Sequence, residues 1–402
     1  MIASAMQLYR NAYKGLTHRI WLLGIVMLVN RSGTMVLAFL TLYCTHLGYT
    51  IKQAGFVVAL YGIGSVAGGF LGGKLSDKYG FYKTQFSALF CGGLLFITLG
   101  QMTTYNSICI CTLFLSLVNE SFRPANATAI AHYSTSENRT QSFSLIRLAI
   151  NLGWGIGSAL GGFLASFNYH LLFWVDGLTN IAAAGMLLIV LPRVTLQQQR
   201  SAFHKNPTGN KTISPYNDKT YLYFLGLIIL FAFCFFQLFT TIPLFFKNGL
   251  HLNEFRIGAV MAGNGILIAI FEMVIVYKLE GTRPYLALMC MGTLFMCLSY
   301  ILLHLPLVGI LVAIIFTLVI TIAEMIGMPF MNSYYISRTN DMNRGQYAGL
   351  FTMSWSIAQI AGSLLGAILA DKLGFYPLWW IIAAVCLVTA AGFYRMFRKR
   401  VI

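Results

Sequence analysis

Charged residues are scarce in this sequence. Asp, Glu, Lys and Arg make up only 9% of the 402 residues, whereas a soluble globular domain carries about a quarter. Hydrophobic residues account for 58% of the chain, and the mean hydropathy is +0.73. These values exclude a water-soluble globule, and we expect an all-α membrane protein that crosses the bilayer many times.

Several functional signatures are also absent. Neither His-Glu-x-x-His nor Gly-x-Ser-x-Gly occurs, so an intramembrane enzyme would lack its metal set or its nucleophile. The eight cysteines lie within or beside apolar segments, without pairs at metal-site spacing. The polar, basic first 20 residues lack the pattern of a cleaved signal peptide. We expect no enzyme activity, no cofactor, no metal and no removed leader.

Apolar windows of about 20 residues, the length that spans a bilayer, recur twelve times. We number them spans 1 to 12, near 20–44, 53–73, 82–100, 108–133, 141–165, 171–191, 221–246, 257–277, 284–303, 306–336, 347–369 and 376–395. We expect the polar, basic N-terminus to stay in the cytoplasm, and an even number of spans then returns the C-terminus to the same side. The predicted cytoplasmic segments carry most of the 27 lysines and arginines, as the positive-inside rule requires. The net charge of +16 is therefore a topology signal, and we expect no nucleic-acid partner.

The polar stretch 193–219 separates two sets of six spans. It predicts an N-terminal bundle at 1–192, a cytoplasmic linker at 193–219 and a C-terminal bundle at 220–402. An internal repeat agrees, because a shift of 205 residues sets 157–161 (GSALG) on 362–366 (GSLLG) and Pro124 on Pro329. Since the offset is six spans, the two halves run parallel about an axis along the membrane normal.

The loop between spans 2 and 3 reads GGKLSDKYGFYK over residues 72–83. Its glycines permit a tight turn and close helix contact, and its single acid, Asp77, stands among basic residues. The expected partner of Asp77 is the positive N-terminus of span 11, near Gln346. A simple topogenic loop is the alternative to a gating latch. The residues to which we assign gating are Asp77, Gly72, Gly73, Gly80 and Lys83.

Span 5 contains a glycine-rich stretch, GWGIGSALGG, at residues 153–162. Small residues at this spacing let two helices approach closely. The stretch also resembles the motif Gly-x-x-x-Gly-Pro-x-x-Gly-Gly of drug:proton antiporters, although Ser158 stands where that motif has proline. Helix packing and the antiporter motif explain the glycines equally well.

Two parallel six-helix halves and a loop of the form Gly-x-x-x-Asp-(Arg/Lys)-x-Gly-x-(Arg/Lys)-(Arg/Lys) resemble transporters of the major facilitator superfamily. The chain is most similar to the twelve-helix drug:proton antiporter group, and the resemblance covers the full chain. It implies twelve transmembrane helices, alternating access to a small-molecule substrate, coupling to protons and a monomer in the bacterial inner membrane.

Ionisable side chains within the spans are the sharpest functional signal, because each costs ~3 kcal/mol or more at mid-membrane and normally faces a polar cavity. Glu120 and Arg123 of span 4 are spaced i, i+3 and can pair directly, although a fixed structural ion pair is the alternative. Asp176 and Glu272 lie nearer span ends, and we expect them to be structural. The mid-span set is Arg31, Glu120, Arg123, Arg147 and Glu324.

The excess of arginine in the first half favours an anionic or zwitterionic substrate. The second half contains one mid-span acid, Glu324, together with polar uncharged residues within its spans. We assign proton coupling to Glu324 and Glu120, and substrate binding to Arg31, Arg123, Arg147, Gln237, Asn264 and Asn332.

These assignments favour a proton-coupled secondary transporter, with efflux as the favoured direction. The alternative is proton-coupled uptake of peptides, amino acids or another small nutrient, because arginines on spans 1 and 4 with a glutamate on span 10 resemble proton-coupled peptide transporters. Their Glu-x-x-Glu-Arg signature is missing, since Met27 and Asn30 precede Arg31 at the glutamate positions. A channel or an intramembrane enzyme is a remote alternative.

Overall fold

The structure is a computed structural model that describes residues 7, 11, 13–195, 214–252, 254–339 and 343–401. Among these residues the regular secondary structure is helical throughout, which confirms the expected all-α class. Most of the predicted linker, 193–219, lies outside the described residues.

The part of the chain that the structure describes forms fifteen α-helices. In chain order they are α1 His18–Ser32, α2 Val36–His46, α3 Ile51–Tyr79, α4 Phe81–Gly100, α5 Tyr105–Glu120, α6 Phe122–Tyr133, α7 Arg139–Phe167, α8 Tyr169–Val190, α9 Lys219–Phe236, α10 Thr241–Asn248, α11 Glu254–Leu279, α12 Tyr285–Leu302, α13 Gly309–Ser337, α14 Arg344–Leu373 and α15 Phe375–Val401.

Ten helical segments of the described residues are long and apolar enough to cross a membrane. They correspond to spans 2, 3, 4, 6, 7, 8, 9, 10, 11 and 12. Span 1 is divided between α1 and α2, and span 5 is the 29-residue helix α7. The count of twelve crossings stays a prediction.

Spans 1, 4 and 7 are each two helices, where hydropathy predicted continuous ones. Span 1 is interrupted between Ser32 and Val36, and span 7 between Phe236 and Thr241, with the 3-10 turn Gln237–Phe239 in the gap. A shift of 205 residues places the first interruption on the second. The internal repeat therefore extends to the breaks in spans 1 and 7. It does not extend to the break in span 4, whose repeat partner, span 10, is the continuous helix α13.

Asp176 of α8 accounts for the break in span 1. Its carboxylate accepts hydrogen bonds from the backbone nitrogens of Met35 at 3.1 Å and Val36 at 2.8 Å, which are free donors at the start of α2. Gly33, in the break, approaches α8 so closely that a Cβ there would overlap the hydroxyl of Thr179. Asp176 thus caps the start of α2, a contact that agrees with the expected structural role.

The glycine-rich stretch of α7 packs on this break. A Cβ on Gly153 would lie 2.6 Å from the Cβ of Arg31, and one on Gly157 would lie 3.1 Å from the carbonyl oxygen of Ser32. The repeat-related Gly362 of α14 approaches the carbonyl oxygen of Phe233 in the same way, at 3.1 Å. At Gly157 and at Gly362, the absence of a side chain lets one helix lie directly on the backbone of another.

The contacts divide the chain into two compact units. One, which we call the N unit, comprises Leu16–Asn217 and Arg338–Ser356. The other, the C unit, comprises Met1–Gly15, Asp218–Ser337 and Ile357–Ile402. The first turns of α14 therefore pack with the N unit, and the rest of that helix packs with the C unit.

Candidate functional site

The interruption of span 4 lies at its charged residues. Glu120 ends α5, Ser121 links the two helices, and Arg123 lies in the first turn of α6. The Nε atom of Arg123 is 2.7 Å from the Oε2 atom of Glu120. Its N–H is not directed at that oxygen, so the contact is an ion pair and not a hydrogen bond. The predicted i, i+3 pair is present, with the Glu120 side chain 4% exposed and the Arg123 side chain 43% exposed.

Two further side chains of the N unit complete the surroundings of the carboxylate. The hydroxyl of Tyr61 on α3 donates to the Oε1 atom of Glu120 at 3.3 Å. The amide nitrogen of Asn119 lies 3.5 Å from that hydroxyl. Glu120 thus has a cation on one oxygen and a neutral donor on the other.

Arg31 of α1 belongs to the same cluster. It lies close enough to Arg123, Glu120 and Asp176 for their charges to interact. The Nε atom of Arg31 is buried and has no hydrogen-bond partner among the described residues. Because buried polar groups are normally hydrogen-bonded, this atom offers an unused donor to an incoming acceptor.

The charges of the cluster do not balance. Arg31 and Arg123 supply two guanidinium groups, whereas Glu120 supplies one carboxylate. The carboxylate of Asp176 is held by the N-terminus of α2. Arg147 lies on α7 and is partly exposed, and its place in the site stays a prediction.

In the C unit, Glu324 on α13 is buried, with 2% of the residue exposed. The amide nitrogen of Asn264 on α11 lies 2.9 Å from the Oε1 atom of Glu324 and 2.9 Å from the hydroxyl of Thr321. Two of the residues singled out in the sequence, Glu324 and Asn264, therefore lie in contact.

The other two polar residues assigned to the second half have local partners. The amide nitrogen of Gln237 donates to the carbonyl oxygens of Phe233 at 3.1 Å and Gly362 at 2.9 Å. Its amide oxygen accepts from the hydroxyl of Thr241 at 2.8 Å, so Gln237 joins α9 to α14. Asn332 donates to a carbonyl of its own helix, that of Met328, at 3.4 Å. Their part in substrate binding stays a prediction.

The loop motif makes the contact expected of it. The Asp77 carboxylate, near the end of α3, accepts hydrogen bonds from the backbone nitrogens of Gly345 at 2.7 Å and Gln346 at 2.8 Å. These N–H groups belong to the first turn of α14, where the helix itself offers no acceptor and the helix dipole stabilises a negative charge. The predicted contact between Asp77 and the start of span 11 is present within the N unit.

Glycines of α3 make this contact possible on two sides. A Cβ on Gly73 would overlap the carbonyl oxygen of Gly345, and a Cβ on Gly72 would overlap the backbone of Ser121. One stretch of α3 thus packs on the start of α14 and on the interruption of span 4. Gly80, with φ at 92°, makes the turn into α4. Lys83, the remaining residue of the motif, is exposed on α4.

Sequence reasoning missed Tyr61, Asn119 and Thr321. A tyrosine, an asparagine or a threonine within an apolar span is compatible with ordinary packing. Their hydrogen bonds around the two acids depend on which helices are neighbours, and no motif marks that pairing.

The helical fold, the apolar spans and the charged groups buried within them define a multi-pass membrane transporter. The chain belongs to the Major Facilitator Superfamily, whose family model matches residues 20–342. It is a transporter and not an enzyme.

Relatives and solved structures of similar fold agree with this assignment. The chain is 22% identical to "Multidrug resistance protein 2" of Bacillus subtilis (strain 168), covering 86% of each chain. It is 23% identical to "Tetracycline resistance protein, class H" of Pasteurella multocida, covering 82% of this chain and 83% of that one.

Among solved structures, the human organic anion transporter MFSD10 (TETRAN) matches with a TM-score of 0.73 at 13% identity, covering 93% of this chain and 98% of that chain. A bacterial homologue of the iron transporter ferroportin, in an outward-facing state, matches with a TM-score of 0.73 at 15% identity, covering 95% and 100%. At these identities the likeness shows the fold alone.

Proposed function

We propose that this transporter exports a small anionic, zwitterionic or amphipathic molecule across the bacterial inner membrane in exchange for protons. The observation that carries the proposal is the cluster of Arg31, Arg123, Glu120 and Tyr61. It combines two guanidinium groups, a buried carboxylate that one of them neutralises, and an unused buried donor.

The cluster is suited to an exchange of carboxylates. A guanidinium group presents a planar fork of donors that matches a carboxylate or a phosphate. An anionic group of the substrate would take the place of Glu120 beside Arg123, and would accept from the Nε atom of Arg31. Glu120 would then be a buried carboxylate without a cation, a state that favours uptake of a proton. A proton taken up by Glu120 in this way would move together with the substrate, which is the coupling of a symporter. Export in exchange for protons therefore assigns the proton that moves against the substrate to Glu324.

Glu324 is the second proton carrier of the proposal. Its described partner, Asn264, is neutral, so the carboxyl group exchanges a proton without breaking an ion pair with that residue. The amide of Asn264 can turn to offer either its oxygen or its nitrogen to the carboxyl group. The pair therefore accommodates both protonation states.

The contact of Asp77 with α14 supplies the gate. Two charge-assisted hydrogen bonds hold α3 against the start of α14, and Gly73 brings the two backbones together. Gly72 connects the same segment to Ser121, the residue after Glu120. A conformational change at the cluster of Glu120 and Arg123 would therefore be transmitted along α3 to the contact between Asp77 and α14.

The named activities of the relatives favour export. Two carry names of drug resistance, to multiple drugs and to tetracycline. The structural neighbour MFSD10 is an organic anion transporter, which agrees with a positive binding site. The remaining parts of the proposal are a monomer with both termini in the cytoplasm, twelve spans, bundles at 1–192 and 220–402, and a linker at 193–219.

Flux measurements in proteoliposomes test the proposal. A panel of carboxylates, sulfonates, zwitterions and neutral analogues is first screened by thermal shift, and the best ligand is then loaded into vesicles. We expect that, when the solution outside the vesicles is more acidic than the solution inside, ligand leaves the vesicles and protons enter them. Flux that ignores the gradient would contradict proton coupling, and ligand and proton moving in the same direction would favour nutrient uptake.

A further inference from the structure

A groove of about 740 Å³ runs along the surface of the C unit between α9 and α15. It extends from Leu222 to Leu230 on α9 and from Val388 to Arg395 on α15. At 1.5 Å per residue, eight residues of helix cover about 12 Å. That is close to the ~15 Å thickness of one hydrocarbon leaflet.

The groove is apolar along its length and charged at one end. Arg395 is the charged residue among the described residues that line it. Beyond Arg395 the sequence continues with Arg398 and Lys399 and contains no Asp or Glu. The apolar part of the groove is about as long as an acyl chain in one leaflet, and it ends at an arginine. This arrangement fits a phospholipid whose acyl chain lies in the groove and whose negative headgroup lies at the arginine.

Two glycines shape the groove. A Cβ on Gly392 would overlap the side chain of Leu227, so this glycine lets α15 lie directly on α9. A Cβ on Gly226 would meet no atom within 4 Å, so its missing side chain leaves open space in the groove. Leu227 itself is 5% exposed and forms the floor.

We infer that this groove is a binding site for one anionic phospholipid. An acyl chain lies along the apolar walls, and the phosphate is held by the guanidinium group of Arg395. The preference for an anionic over a zwitterionic headgroup arises from the positive charge of Arg395, to which Arg398 and Lys399 add at this end of α15. The site is separate from the charged clusters of the transport proposal and does not depend on it.

Native mass spectrometry of the delipidated full-length protein tests the site. The protein receives phosphatidylglycerol or phosphatidylcholine with the same acyl chains, and the retained lipid is counted. We expect about fivefold stronger retention of phosphatidylglycerol, which corresponds to ~1 kcal/mol for one basic residue near an anionic headgroup. Equal retention of the two lipids by the wild-type protein would overturn the inference.

Matched substitutions locate the binding. Arg395→Gln is expected to remove the preference, whereas Arg398→Gln, which removes the same charge outside the groove lining, is expected to keep it. Gly226→Leu fills the groove and is expected to lower retention of both lipids. Gly185→Leu is its control, because a Cβ on that helical glycine also meets open space.

The inference is wrong if Arg395→Gln prefers phosphatidylglycerol as strongly as Arg398→Gln does. It is also wrong if Gly226→Leu retains as much lipid as Gly185→Leu. A dimer that Gly226→Leu abolishes would assign the groove to a second copy of the chain, and would equally contradict a lipid site.

Discussion

The Oδ1 atom of Asp77 lies 2.7 Å from the backbone nitrogen of Gly345, across 268 residues of sequence. The contact joins the end of α3 to the first turn of α14. Because the donor is a free N–H at a helix N-terminus, the carboxylate gains from both the hydrogen bond and the helix dipole.

Replacing Asp77 by Asn tests the gate. The amide keeps one acceptor but loses the negative charge, which weakens the contact by ~1 kcal/mol. We expect backbone exchange in the first turn of α14 to rise about fivefold and transport to fall, with expression unchanged. Asp371→Asn, at an exposed position near the end of the same helix, is the control. If backbone hydrogen exchange in the first turn of α14 is unchanged in the Asp77 variant, Asp77 does not form the gate.

The glycine contact of the gate makes a second prediction. Gly73→Ala places a methyl group against the carbonyl oxygen of Gly345, and overpacking of this kind costs ~1–3 kcal/mol. We expect a lower melting temperature and lower transport. Gly258→Ala on α11 meets open space, and is expected to be neutral or slightly stabilising. The contact is unimportant if both variants melt at the same temperature as the parent.

The interruption of span 1 gives a prediction about stability. Asp176→Asn leaves one acceptor for the two N–H groups of Met35 and Val36 and removes the charge at the start of α2. We expect a loss of ~1–2 kcal/mol, seen as a lower melting temperature. Glu137→Gln, which neutralises an acid at an exposed position, is the control and is expected to melt with the parent. Equal melting temperatures for the two variants would show that Asp176 is not needed for the break.

Glu324→Gln separates proton coupling from binding. The substitution keeps the size of the side chain and a hydrogen bond with Asn264 but removes the titrating group. We expect gradient-driven transport to be lost, while ligand binding and ligand exchange without a gradient persist. Glu280→Gln, whose carboxylate bonds the hydroxyl of Tyr285 at 2.8 Å, is the control. Transport that still follows the gradient would leave Glu120 as the carrier.

The parts of this structure that the sequence predicted are those with local or repeated signals. The Glu120–Arg123 pair follows from i, i+3 spacing on one helix. The contact of Asp77 follows from a single acid in a basic loop and a helix start on the same side. The shift of 205 residues related the two halves, and the structure extends that relation to the breaks in spans 1 and 7.

The parts that could not be predicted depend on neighbours distant in sequence. Hydropathy did not mark the break at Gly33, because glycine and threonine are acceptable within an apolar window. The hydrogen bonds at the break come from Asp176, 140 residues from Val36. Glu324 and Asn264 were each singled out by polarity, but their contact across 60 residues depends on which faces of α11 and α13 meet.

The central claim is that Arg31, Arg123 and Glu120 form a site for an anionic group. The double variant Glu120→Gln with Arg123→Gln removes the ion pair without leaving either partner of that pair unpaired. Glu137→Gln with Arg193→Gln removes the same two charges from exposed positions and is the matched control.

Ligand affinity of these two proteins is the most direct test. Binding is measured by isothermal titration with the best anionic ligand of the panel and with a neutral analogue. The account predicts that the double variant folds and loses about tenfold or more in affinity for the anionic ligand, since a charged hydrogen bond contributes ~1.5–3 kcal/mol, while the neutral analogue binds as before. If the double variant binds the anionic ligand as tightly as the control, the account is contradicted.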